Sequence, residues 1–75
     1  MNHKLNLDVR QAEGALLRVL GTAERRGYSP VALDAGPGPA AGEFSVTLTV
    51  CSDRDPGLLA RQLANLQDVR RVEVL

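Results

Sequence analysis

The sequence predicts an α+β sandwich: a four-stranded antiparallel sheet with two helices on one face, in the order βαββαβ. Two stretches alternate apolar with polar residues, Leu5-Leu7-Val9 and Phe44-Val46-Leu48-Val50. After each comes a segment whose apolar residues recur at helical spacing. The two halves repeat one succession of strand, loop, helix and strand. Two right-handed crossovers of that length give the ferredoxin-like arrangement.

The first strand is read from His3 to Val9, where Lys4, Asn6 and Asp8 occupy the polar face. Arg10 to Glu13 is a polar loop. Gly14 then opens a helix with Leu16, Val19, Leu20 and Ala23 at i, i+3, i+4, i+7 spacing, the stripe expected to face the core. Arg25 and Arg26 suit the negative end of its dipole, and Gly27 can take the left-handed conformation that ends it. Tyr28 to Ala35 reads as a second strand, placed at an edge because Pro30 cannot donate a ladder hydrogen bond.

Gly36 to Gly42, GPGPAAG, reads as a loop. The third strand, Phe44 to Val50, has the clearest alternation in the chain, with Ser45, Thr47 and Thr49 between its apolar residues. Asp55 before Pro56 is a capping carboxylate followed by proline at the first helical position. Leu59, Gln62, Leu63 and Leu66 share one side of the second helix, and Val69, Val72 and Val74 belong to the last strand. The uncovered sheet face would carry Asn6, Asp8, Ser45, Thr47 and Thr49, open to solvent or a polar partner.

At 75 residues the chain is one domain, residues 1–75. A domain of this size buries only about 60% of the surface its unfolded form exposes. Net stability of about 5 kcal/mol or less follows, so covering apolar surface with a partner contributes a large share. A homodimer through edge strands is therefore expected.

The formal net charge is zero, without the basic footprint of a nucleic-acid or membrane-surface binder. Base stacking on the sheet would need aromatic side chains, and Tyr28 and Phe44 are the only aromatics. The single Cys51 excludes an internal disulfide and a zinc site built on paired cysteines. A reducing cytoplasm fits this usage, with Cys51 read as a buried structural thiol. No apolar run approaches the ~20 residues needed to span a bilayer, and MNHKLNLDVR has no signal-peptide core, so a cytoplasmic location is expected. His3 and the Arg70-Arg71 pair read as solvated, Gln62 as a boundary hydrogen bonder, and Leu17 and Leu58 as core margins or partner contacts.

The runs GALLRVLGTAERRGYSPVALDA and QLANLQDVRRVEVL resemble the ACT domain of the small, regulatory subunit of acetolactate synthase, also called acetohydroxyacid synthase. The matching positions are Gly14, Ala15, Leu16, Arg18, Val19, Arg26, Gly27, Tyr28, Gln62, Leu63, Asp68 and Val69. The resemblance covers nearly the whole chain and is to the short form, one ACT domain without a second.

It implies a non-catalytic subunit that binds and activates a thiamine-diphosphate-dependent catalytic subunit in branched-chain amino-acid biosynthesis. No cofactor is expected in this chain; thiamine diphosphate, magnesium and FAD would belong to the catalytic partner. In the ACT family the first loop and helix start, with the beginning of strand two from a neighbouring subunit, hold an amino-acid effector. Carried onto this sequence, the effector site comprises Gln11, Glu13, Gly14, Ala15, Leu16, Ser29 and Pro30.

The family commonly has asparagine or aspartate at the position of Gln11, and asparagine where Ser29 precedes Pro30. A longer amide and a lost backbone donor imply weak or no valine feedback. No nucleophile and base at a recognisable spacing, no metal-ligand cluster and no phosphate-binding glycine loop point to an enzyme. The alternative is a free-standing ACT-type amino-acid sensor.

Overall fold

A computed structural model describes residues 1–75 and gives β1 (Asn2–Arg10), α1 (Ala15–Arg25), β2 (Ser29–Pro37), β3 (Glu43–Cys51), α2 (Pro56–Ala64) and β4 (Val69–Val74). The sheet order is β2-β3-β1-β4, antiparallel throughout. This is the expected βαββαβ sandwich, with β2 at an edge.

Alternation decides which face is covered. Leu5, Leu7 and Val9 of β1 stand opposite Leu48, Val46 and Phe44 of β3, and the buried members of both rows form one core with Val19, Ala23, Leu59 and Leu63 of the helices. The other face carries the expected Asn6, Asp8, Ser45, Thr47 and Thr49, all half-buried. There Arg71 Nε donates to Asp8 Oδ2 at 3.1 Å, between directly opposed residues.

The helix ends follow from local chemistry. At the end of α1, Gly27 (φ 87°) donates to Glu24 O and Tyr28 N–H reaches back to Ala23 O, a Schellman closure that needs a left-handed residue. Asp55 Oδ1 accepts from Gly57 N–H at 3.1 Å and Pro56 occupies the first turn of α2, as read from the sequence.

Four expectations are corrected. Gly36 and Pro37 are not loop: they extend β2, opposite Ser45 and Phe44, because an edge strand tolerates proline. The buried face of α1 is Ala15, Val19, Thr22 and Ala23, with Leu16 and Leu20 only partly covered. The small residues let the helix approach the sheet closely, which turns the two leucines toward its flank. Cys51 is exposed, because alternation after buried Val50 puts it on the open face. Leu17 and Leu58 are not core margins but exposed, at 73% and 47%.

The two edges of the sheet differ. β2 is nine residues long, with a bulge at Val31, which is 55% exposed. β4 has six residues, carries Arg70 and Arg71, and is irregular where it meets Asp8 and Val9.

Candidate functional site

The loop from Gln11 to Gly14 continues β1 beyond its last ladder pair and enters α1. It is tied down on two sides. Gln11 N–H donates to Gly42 O at 2.8 Å, and Gln11 Nε2 donates to Glu43 O at 3.4 Å, at the start of β3. On the other side Arg10 N–H donates to Asp68 O at 2.7 Å, just before β4.

Asp68 is almost fully buried and gathers two arginines. Arg10 Nη2 lies 3.3 Å from Asp68 Oδ1, and Arg18 Nη2 bonds Asp68 Oδ2. Gly14 makes the second contact available. It precedes the first helical residue with φ 76°, and a Cβ there would lie 3.0 Å from Arg18 Nη1. A side chain would therefore meet both backbone strain and the guanidinium.

The first turn of α1 has neither a capping side chain nor an acidic residue. A helix start of this kind, flanked by two half-exposed guanidiniums, suits a carboxylate electrostatically. Binding is the chemistry the arrangement offers. No three His, Cys, Asp or Glu side chains come together as a metal-ligand set.

The seven sequence-predicted site residues divide into two groups. Gln11, Glu13, Gly14, Ala15 and Leu16 cluster at the loop; Glu13 is exposed, Ala15 buried and Leu16 partly buried. Ser29 and Pro30 pair with Cys51 and Val50, at the far end of β3 from Glu43. At ~3.3 Å per residue that is a separation of about 25 Å, so one chain does not bring the groups together. Sequence reasoning gave no role to Arg10 or to the Arg18–Asp68 pair. The topology held a signal, because placing strands one and four side by side brings Arg10 next to the residue before Val69.

The Arg18 hydrogen bond is the main reason the Asp68 carboxyl is held below the usual carboxylate range; burial opposes it, and Arg10 reinforces it. Asp68 thus takes up its proton near pH ~4 in the unfolded chain but only at lower pH when folded. Its contribution to stability is complete above about pH 4 and disappears as pH falls through the folded value. We expect urea midpoints to drop on acidification toward about pH 3, and to drop distinctly less in Asp68→Asn, which starts from a lower midpoint at neutral pH. Parallel acid profiles for the two proteins would remove the pair from this role.

Fold and loop together define a small α+β sandwich with an uncapped helix start beside two arginines. The family model described as the ACT domain matches residues 11–72, and the chain belongs to that family. Among solved structures, the small subunit of acetolactate synthase from Thermotoga maritima superposes with a TM-score of 0.83 at 20% identity, covering 99% of this chain and 47% of that one. The chain thus spans about half the length of that subunit. The ACT domain of GTP pyrophosphokinase from Chlorobium tepidum gives 0.78 at 17% identity, covering 100% of this chain and 97% of that one. The C-terminal domain of the MgtC protein from Mycobacterium tuberculosis gives 0.74 at 12% identity, covering 99% and 84%. At these identities the likeness is one of fold. No curated protein has significant sequence similarity to the chain.

Proposed function

We propose that the chain is a regulatory small subunit of an acetolactate synthase, acting as a dimer that binds and activates the thiamine-diphosphate-dependent catalytic subunit. The carrying observation is the division of the site: Gln11–Leu16 and Ser29–Pro30 lie at opposite ends of one chain, while β2 presents a free nine-residue edge. Pairing two β2 strands antiparallel about a two-fold axis sets the start of one β2 beside the end of the other. Ser29 and Pro30 of one copy then approach the end of the sheet that holds Gln11–Leu16 of its partner.

The step from an ACT domain to this particular synthase rests on the GALLRV, RGY and QL…DV positions, and the Thermotoga fold match agrees with it. Thiamine diphosphate, magnesium and FAD belong to the catalytic partner in this reading. Valine feedback is weak or absent, since the Gln11 amide is engaged by Glu43 O and Pro30 supplies no N–H.

The test is acetolactate formation by the matching catalytic subunit with and without the purified chain, across each branched-chain amino acid. A several-fold stimulation with little valine inhibition is expected, and sedimentation should give a dimer. No stimulation, together with amino-acid binding by the chain alone, would establish the free-standing sensor instead.

A further inference from the structure

We propose that the pocket between the end of α1 and the flank of α2, lined by Arg26, Tyr28, Arg54, Leu58, Arg61 and Gln62, binds a small phosphorylated anion. It is distinct from the Gln11–Gly14 loop and independent of the acetolactate synthase reading. Three arginines line one cavity of about 240 Å³. The ion pairs of the molecule all involve Arg10, Arg18, Arg70 or Arg71, so none of the three has a carboxylate partner. Like charges gathered around one hollow repel, and an anion between them removes that repulsion and gains charge-assisted, bidentate hydrogen bonds.

Local helix electrostatics account for two of the arginines and not for the third. Arg26 ends α1 and Arg61 lies in the last turn of α2, where cations are favoured. Arg54 comes immediately before the capping residue of α2, at the positive end of that helix, where a cation is disfavoured. The nearest carboxylates in sequence, Asp53 and Asp55, line a neighbouring cleft that Arg54 also borders. Neither pairs with Arg54, and Asp55 is turned to Gly57 N–H.

The frame beneath the arginines is held in advance. Arg54 N–H donates to Ser52 Oγ at 3.0 Å, and Ser52 Oγ donates to Gly27 O at 3.0 Å. Tyr28 Oη donates to Asp55 O at 2.7 Å, joining the end of α1 to the start of α2. Gly27 leaves the space that the Arg54 side chain fills, for a Cβ there would lie 3.0 Å from Arg54 Nε. Such preorganisation lowers the ordering cost of binding. The volume is below the ~300–1,000 Å³ of drug-sized sites, which selects a compact ligand. Half-exposed Leu58 gives one apolar wall for a short carbon skeleton, and the Gln62 amide can donate to an oxyanion.

The probe is inorganic pyrophosphate, titrated at low ionic strength into the full chain labelled with nitrogen-15. Saturable shifts are expected at the amides of Gly27, Tyr28, Arg54, Leu58 and Gln62, weakening with added salt. Arg54→Gln and Arg61→Gln should each lower affinity roughly tenfold, with unchanged far-ultraviolet circular dichroism. Arg70→Gln with Arg71→Gln, which removes the same charge from the last strand, should leave affinity nearly unchanged. Absence of saturable shifts at this set, an equal loss in the Arg70/Arg71 variant, shifts confined to Gln11–Arg18, or tighter binding of citrate than of pyrophosphate would each overturn the assignment.

Discussion

Leu48→Ala is expected to remove 2–5 kcal/mol, on the order of the whole stability of the domain, and to leave a large unfolded fraction at room temperature. Leu48 is fully buried on β3, between Leu5 of β1 and Leu33 of β2. Truncation loses transfer free energy and leaves a cavity that four strands and two helices cannot readily close. A chain with a reserve of about 5 kcal/mol has little left after that loss. Urea denaturation followed by circular dichroism measures it directly. Leu17→Ala, at a site 73% exposed, is the matched control and should stay within about 0.5 kcal/mol of the parent. A Leu48→Ala midpoint equal to that of Leu17→Ala would place the core elsewhere.

The second large effect is expected at Gly38, where space and not backbone freedom imposes glycine. A Cβ at that position would lie 2.7 Å from Glu43 O and 2.8 Å from Glu43 C, closer than the hairpin between β2 and β3 can accept. Gly38 N–H also donates to Glu43 O at 2.9 Å, so the strands must part at their junction. Gly38→Ala should cost about 1–3 kcal/mol. Glu43 O is also the acceptor for the Gln11 side chain, so the damage spreads to the loop between β1 and α1. Amide shifts at Gln11 and Gly14 would report it. Gly36→Ala is the contrast: nothing lies within 4 Å of its Cβ position, and its stability should match the parent within about 0.5 kcal/mol. Equal behaviour of the two variants would refute the close approach.

Much of the fold was legible because its determinants are local. Alternation at Leu5-Leu7-Val9 and Phe44 to Val50 defines two strands, and Gly27 and the Asp55-Pro56 pair mark helix ends that the hydrogen bonds reproduce. Legibility fails where tertiary contact overrides local chemistry. Gly36 and Pro37 look like punctuation, yet β3 supplies pairing partners for both. Leu16 and Leu20 have the right period for a core stripe. Close packing of Ala15 and Ala23 rotates the helix away from them. Cys51 was within reach, since the parity that buries Val50 exposes its neighbour.

The candidate site was half visible. Gln11 to Leu16 form one loop-to-helix segment, but Ser29 and Pro30 lie at the far end of β3 from it. The Asp68 anchor spans fifty-eight residues to Arg10 and fifty to Arg18, a separation no local pattern reports. Arg26, Arg54 and Arg61 likewise look like scattered cations in an arginine-rich chain, and only the packing of the end of α1 beside α2 brings them to one hollow.

The borders of the sheet are unequal. β2 offers nine residues to a further strand, with a bulge at Val31, whereas β4 offers six, and its Arg71 is already tied to Asp8 and Glu73. An incoming strand therefore finds a longer run of unpaired amides and carbonyls on one rim than on the other, which gives the sheet a preferred side for extension.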